Sequence, residues 1–181
     1  EGISDHNAFE GRNSSVGERS MLGVVQQVAK DIGAVEVGQL ASFDHMFAGI
    51  RASLKTAAQK QILTAERQLE NPLAVRLLKA LFLVKYVESF QATPRNLTVL
   101  MYDRFGLDLP SLTEHVKEAL TLLETQTYIQ RNGNVYEYLT NEEQVMEEEI
   151  KNVDIDASEL SSRLFKILSV DVIKANRVRY A

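Results

Sequence analysis

The sequence contains no cysteine, which excludes a disulfide framework, a thiolate metal site and a cysteine nucleophile, and fits a reducing compartment such as the cytoplasm. Long hydrophobic runs are also missing. The most apolar stretch, LLKALFLVKYV over 77–87, is interrupted by Lys79 and Lys85 and is too short to cross a bilayer, so a buried helix explains it better. The N-terminus lacks the basic-then-apolar order of a signal peptide. Positive charge is scarce: a formal net charge of −5 gives no global electrostatic pull toward nucleic acid. There is no Gly-x-x-x-x-Gly-Lys-Ser/Thr loop to cradle phosphates, and no apolar strand ends in acids that could hold magnesium. His6, His45 and His115 fall on separate predicted elements, without metal-ligand spacing and apart from any obvious Ser or paired Asp. Neither an internal repeat nor a low-complexity tract appears.

What is present reads almost wholly as helix. With 181 residues and 45% apolar content, the chain can bury a sizeable core as one domain or two small ones. It begins at Glu1 and stops in mid-pattern at Arg177–Ala181, which reads as an excised piece of a longer protein. Residues 1–14 are polar and Gly-containing, as in a flexible arm. In the bundle expected over 15–70, Leu22, Val25, Ala29 and Ile32 recur at helical spacing up to Gly33. Phe43, Met46, Phe47, Ile50 and Leu54 make the next stripe, and Ile62, Ala65 and Leu69 a third. Asn71-Pro72 is an N-cap and first-turn pair opening a helix over 73–90, apolar nearly all round and therefore central, with a domain boundary placed near Asn71. Thr93-Pro94 opens a short helix with Leu97, Leu100, Met101 and Phe105, closed by Gly106. Leu109-Pro110-Ser111 opens another with Leu112, Val116, Ala119, Leu120 and Leu123.

The segment YIQRNGNVYEYL, 128–139, breaks the helical pattern. Two β-branched or aromatic runs around Asn132-Gly133 predict a two-residue hairpin turn. With those two residues at the tip, Ile129 lies opposite Tyr136, Tyr138 shares their face, and Arg131 and Asn134 flank the turn. Three helices followed by a hairpin is the order of a winged-helix domain, here spanning 71–140. Beyond it, over 141–181, Glu142, Glu143, Glu147, Glu148 and Glu149 make an acidic, solvent-facing helix, and Asp156 with Glu159 resembles a capping box opening a last helix through Leu160, Leu164 and Leu168.

A winged helix that reads DNA needs basic or amide side chains on its third helix. This one offers Glu114, His115, Lys117, Glu118 and Glu124, and carboxylates beside phosphates are repelled. The wing is better suited: Arg131, Asn132 and Asn134 could donate to a phosphate backbone, with Arg95 and Arg104 on the preceding helix. Residues 72–139 hold seven Lys/Arg and seven Asp/Glu, so the module is neutral, and contact with a protein partner, or weak contact with a nucleic-acid backbone, is favoured over sequence-specific DNA reading. One further motif, Gly17-x-Arg19 at a helix start, could aim a guanidinium at a nucleotide on a neighbouring domain, or be an ordinary surface arginine.

The segments SVGERSMLGVVQQVAKDIG, LLKALFLVKYV and ALTLLETQTYIQRNGNVYEYLTNEEQVMEEEIKN, with the VDID that follows, resemble the BrxC/PglY family of P-loop proteins from BREX bacteriophage-defence systems. The likeness runs from about Ser15 to the C-terminus. It implies an AAA+ type ATPase core preceding this chain, similar to origin-recognition ATPases, and makes 15–70 the lid of that core. The fold expected is thus mainly α: a lid-like bundle, a winged helix with one β-hairpin, then C-terminal helices. The resemblance implies a non-catalytic regulatory and assembly role, coupling nucleotide state to complex formation. It also implies ATP and Mg bound only by the parent, and partners among the parent's own core and other BREX components, with DNA as the alternative, no membrane, and oligomerisation through the parent. Gly17 and Arg19 become a sensor-2-like pair that approaches the ATP phosphates.

Overall fold

The computed structural model describes residues 17–33, 35–51, 54–152 and 157–172. Eight α-helices and one two-stranded antiparallel hairpin occur among them, a mainly helical body with a small wing. No helix among the described residues is long and apolar enough to cross a membrane. The chain divides into two compact units at Val145/Met146.

The first unit is built around one helix. Asn71 caps α4 (Pro72–Val84) by accepting from the Leu73 and Ala74 amides at 2.9 and 3.2 Å, and Pro72 loses nothing at a position whose N–H has no helical partner. Leu77, Leu78 and Leu81 are fully buried, because neighbours cover α4 on every side: α2 (His45–Ile50), α3 (Thr56–Gln68), α5 (Pro94–Leu100), α6 (Leu109–Thr125) and β2 (Val135–Tyr138). The residues before Asn71 and those after it share one core, in which Phe47, Leu54 and Ile62 join Leu97, Met101, Leu120 and Leu123. Helix α4 stops at Val84, six residues short of the expected Phe90. Lys85, Val87 and Phe90 bond only three residues back, to Phe82, Val84 and Val87, so the chain leaves as tight turns and Lys85 swings inward. Helix α5 likewise ends at Leu100 rather than near Gly106, and Phe105 is 70% exposed instead of packed.

The N-terminal helix α1 (Gly17–Ile32) buries Val24, while Leu22 and Val25 of the expected stripe face solvent. Its partner is α2, and the approach is close: a Cβ on Gly49 would lie 2.8 Å from Val24 Cγ1 and 2.9 Å from Val24 Cα. Only glycine permits that crossing.

Helix α6 ends without a glycine. Tyr128 N–H bonds Leu123 O at 2.9 Å and Thr127 N–H bonds Glu124 O at 3.1 Å, the paired bonds of a Schellman cap, with Thr127 itself at φ +59° where glycine usually sits. That cap reverses the chain into β1 (Ile129–Asn132). The observed register pairs Ile129 with Tyr138, Arg131 with Tyr136 and Asn132 with Val135. The expectation of Ile129 opposite Tyr136, with Asn132-Gly133 at the tip, is corrected: Gly133 and Asn134 are the turn residues, and Asn132 and Val135 flank them. Gly133 alone takes positive φ, +63°, as a type II′ turn requires of its first central residue. The shift is an even one, so every side chain keeps its expected face while its partner changes, and the observed pairing sets the two most buried residues, Ile129 and Tyr138, together.

Helix α7 (Asn141–Asn152) starts with a capping box at Thr140 and Glu143: Glu143 N–H donates to Thr140 Oγ1 at 3.3 Å and Thr140 N–H to Glu143 Oε2 at 2.7 Å. In the second unit, α8 (Ala157–Lys166) runs on into a π-helical stretch, Ile167–Val172. The capping role expected of Asp156 falls outside the described residues.

Candidate functional site

The wing is a rigid platform with an open tip. Its base is held from three sides. Tyr138 is buried edge-on to Phe82, with ring centroids 5.3 Å apart, and Phe82 is edge-on to Phe47. The Tyr138 hydroxyl donates to Gln61 Oε1, and Gln61 Nε2 donates to Leu139 O at 2.7 Å, which fixes α3 to the end of the hairpin. Burial, then the nearby Tyr86 and Glu143, pushes the Tyr138 hydroxyl far above its ordinary range, so it stays a neutral donor. The Tyr136 amide bonds Ala92 O at 3.0 Å and the Leu139 amide bonds Tyr128 O at 3.1 Å.

Lys85 supplies the third hold. Its side chain is only 4% exposed, and its ammonium donates to Tyr138 O and to Glu143 Oε2, both at 2.6 Å, with Glu137 Oε1 at 3.6 Å. Burial raises the Glu143 pKa, but the bonds from Lys85 and the Thr140 amide, the lysine charge and the Thr140 hydroxyl outweigh it, so the carboxyl ends below its ordinary value.

At the tip, Arg131, Asn132, Gly133 and Asn134 are all exposed. Arg131 Nε donates to Gly133 O at 2.8 Å, and its guanidinium lies 5.7 Å from the centroid of the Tyr136 ring, a cation–π contact that holds the side chain extended along the wing. Arg131 thus shares the face of Tyr136, while Asn132, opposite Val135, lies on the other face, and Asn134 is in the turn between the strands. Arg95 is exposed near the start of α5, three residues past the Ala92 carbonyl that holds Tyr136. Arg104 is engaged elsewhere, with its Nε 3.5 Å from Asp103 and its backbone bridged to Gln39. The solvent face of α6 carries Glu114, His115, Lys117 and Glu118, and Lys117 is paired with Glu114 at 2.8 Å. Gly17 is the first residue of α1, and the Arg19 side chain lies outside the described residues.

The sequence reading missed a polar cluster on the other flank of α4. Arg76 donates to Asp44 Oδ2 at 3.2 Å, Asp103 Oδ2 at 3.0 Å and Ser42 Oγ at 2.8 Å, joining the entrance of α2 to the α5–α6 loop. Contrary to the expected isolation of the histidines, His45 meets a serine there that is itself bonded to an acid. Ser42 Oγ donates its one proton to Asp44 Oδ1 at 2.6 Å and accepts from Arg76, so its remaining lone pair accepts from His45 Nδ1 at 2.9 Å. The hydroxyl is buried and fully committed, and His45 takes the Nδ1–H form. The arrangement clamps two loops. A third link runs from Lys79 to Glu66 at 2.8 Å and on to Arg51 at 3.4 Å. The available signal was the presence of Arg76, Lys79 and Lys85 on a helix apolar on all sides, since cations there need anionic or carbonyl partners.

Among the described residues no three His, Asp or Glu side chains gather as metal ligands. No protein-family model matches the chain, and no solved structure matches it significantly.

Proposed function

We propose that this chain is the lid and winged-helix portion of a BREX-type AAA+ ATPase, acting in the cytoplasm as a non-catalytic docking and assembly module whose parent binds the ATP and Mg. The resemblance supplies the family. The observation that carries the docking role is the surface that would have to enter a DNA groove: the exposed face of α6 bears Glu114 and Glu118, and its one lysine is already paired with Glu114. Such a face repels phosphate and suits a protein partner. The Arg76 and Glu66 contacts tie the lid to α4, and Gln61 ties α3 directly to the end of the hairpin, so a displacement of the lid would carry the wing with it.

The test uses the 181-residue chain against separately purified BREX subunits by biolayer interferometry, with labelled duplex as comparator by anisotropy. Saturable binding to a subunit, with no duplex binding at low salt, is the expected result. Duplex binding that weakens steeply between about 50 and 200 mM salt, without subunit binding, would overturn it. In the intact parent, Arg19→Ala should alter nucleotide affinity or hydrolysis if Gly17 and Arg19 serve as the sensor pair.

A second reading is supported by the wing tip, where Arg131, Asn132 and Asn134 are all exposed: contact with a duplex backbone. On that reading Arg131→Ala lowers the salt slope of duplex binding by about 1.

A further inference from the structure

Asn132-Gly133 is the only place in the chain where an asparagine precedes a glycine, and the fold sets that pair at the exposed tip of the wing. The site is open. Apart from its chain neighbours, no atom lies within 4 Å of where a Gly133 Cβ would stand. The bonds that close a two-residue hairpin belong to the flanking pair, here Asn132 and Val135, so the Gly133 N–H stays outside the ladder. An uncommitted backbone nitrogen therefore sits beside a primary amide. Asn132 is also the last residue of its strand, held by the rung nearest the turn.

That arrangement suits ring closure. When base removes its proton, the Gly133 nitrogen attacks Asn132 Cγ: the N–Cγ bond forms, the Cγ–Nδ2 bond breaks, and Nδ2 takes a proton from water and leaves as ammonia. Water then opens the cyclic imide. Cleavage at Cγ gives aspartate, and cleavage at the main-chain carbonyl gives isoaspartate, with no change of oxidation state. Glycine lets the ring form because no Cβ crowds the attacking nitrogen. Asn134 is the contrast within the same turn: it is exposed too, but it precedes Val135, whose β-branched side chain hinders the same attack. We propose that Asn132 is a self-modifying site, converted to aspartate and isoaspartate with water as its only co-reactant. An amide that donates becomes a carboxylate that only accepts, which cancels the charge of Arg131, the one ionised side chain of the tip. Isoaspartate also lengthens the backbone at the rung shared with Val135. The proposal does not depend on the function argued above, since any partner of the tip meets an amide before conversion and a carboxylate after it.

The whole chain is aged in warm, mildly alkaline buffer beside a free peptide of residues 128–139, and peptide mass spectrometry reads positions 132 and 134 separately over time. Asn132 should gain one mass unit, as ammonia leaves and water enters, at least about tenfold faster than Asn134. In water labelled with heavy oxygen, the product should carry the label. Asn132→Gln keeps an amide but makes the ring one atom larger, and should hold its mass over the same period. A smaller ratio between the two positions overturns the proposal, as does an Asn132 that stays intact while the free peptide converts. A product without labelled oxygen, or equal conversion of the glutamine variant, overturns the ring-closure route. Both comparisons with the unaltered chain stand even if the variant folds less well.

Discussion

Replacing Lys85 by methionine keeps the length of the side chain and its apolar stem but removes the ammonium, which is only 4% exposed and holds the base of the wing. Two consequences can be sized from the geometry. The Tyr138 carbonyl, on a residue buried to 2% exposure, loses its 2.6 Å donor, and an unsatisfied buried acceptor costs about 1–3 kcal/mol. Glu143 loses its ion pair, but its side chain is 40% exposed and water replaces the lysine, so this share is about 0.5–1 kcal/mol after screening. The expected loss is therefore about 1.5–4 kcal/mol. Urea unfolding followed by far-UV circular dichroism would measure it, as a fall in midpoint at an unchanged slope. Lys79→Met is the control: Lys79 is 22% exposed and paired with Glu66, and its loss should cost less than about 1 kcal/mol. If Lys85→Met costs under about 0.5 kcal/mol, or no more than Lys79→Met, the inward ammonium is not what holds the wing.

Glu143 makes stability pH-dependent, with a sign that follows from its depressed pKa. The unfolded chain binds the proton more readily, so the contribution is present above the ordinary carboxylate range and is lost as pH falls from about 5 through the folded value. The wild type should lose more stability than Glu143→Gln between pH 7 and pH 3, and equal losses in the two would refute the assignment. Gly49→Ala places a methyl group against the Val24 backbone and should loosen α1 from α2 by about 1–3 kcal/mol, seen as faster hydrogen exchange over 17–32. Unchanged exchange there would mean that the crossing is not close. Leu81→Ala should cost about 2–5 kcal/mol in the same urea assay, and a change below about 0.5 kcal/mol would contradict the central place of α4.

The local punctuation was legible because it is local physics. Asn71-Pro72 and Thr93-Pro94 open helices where those side chains cap and those rings fit, and the Asn-Gly-Asn run turns a hairpin. The ends of helices were less so. Nothing between Leu123 and Tyr128 announces the Schellman cap, because Thr127 occupies the left-handed position without being glycine. The end of α4 at Val84 depends on where Lys85 finds acceptors, and those come from residues 138 and 143. Of the candidate contact residues, Arg131, Asn132 and Asn134 could be placed together beforehand because one turn carries them. Arg104 could not be separated from them, since its partner Asp103 and its bridge to Gln39 are matters of tertiary packing.

By itself the sequence determined the order of elements and the buried faces of α4, α6 and the hairpin, though not that of α1, because capping, turn geometry and helical spacing act over three or four residues. It could not determine the pairing within the hairpin or the company that Arg76 and Lys85 keep. Those depend on acceptors brought from 27 to 58 positions away, and only the folded chain puts a buried cation and its carboxylates within 3 Å or so of one another.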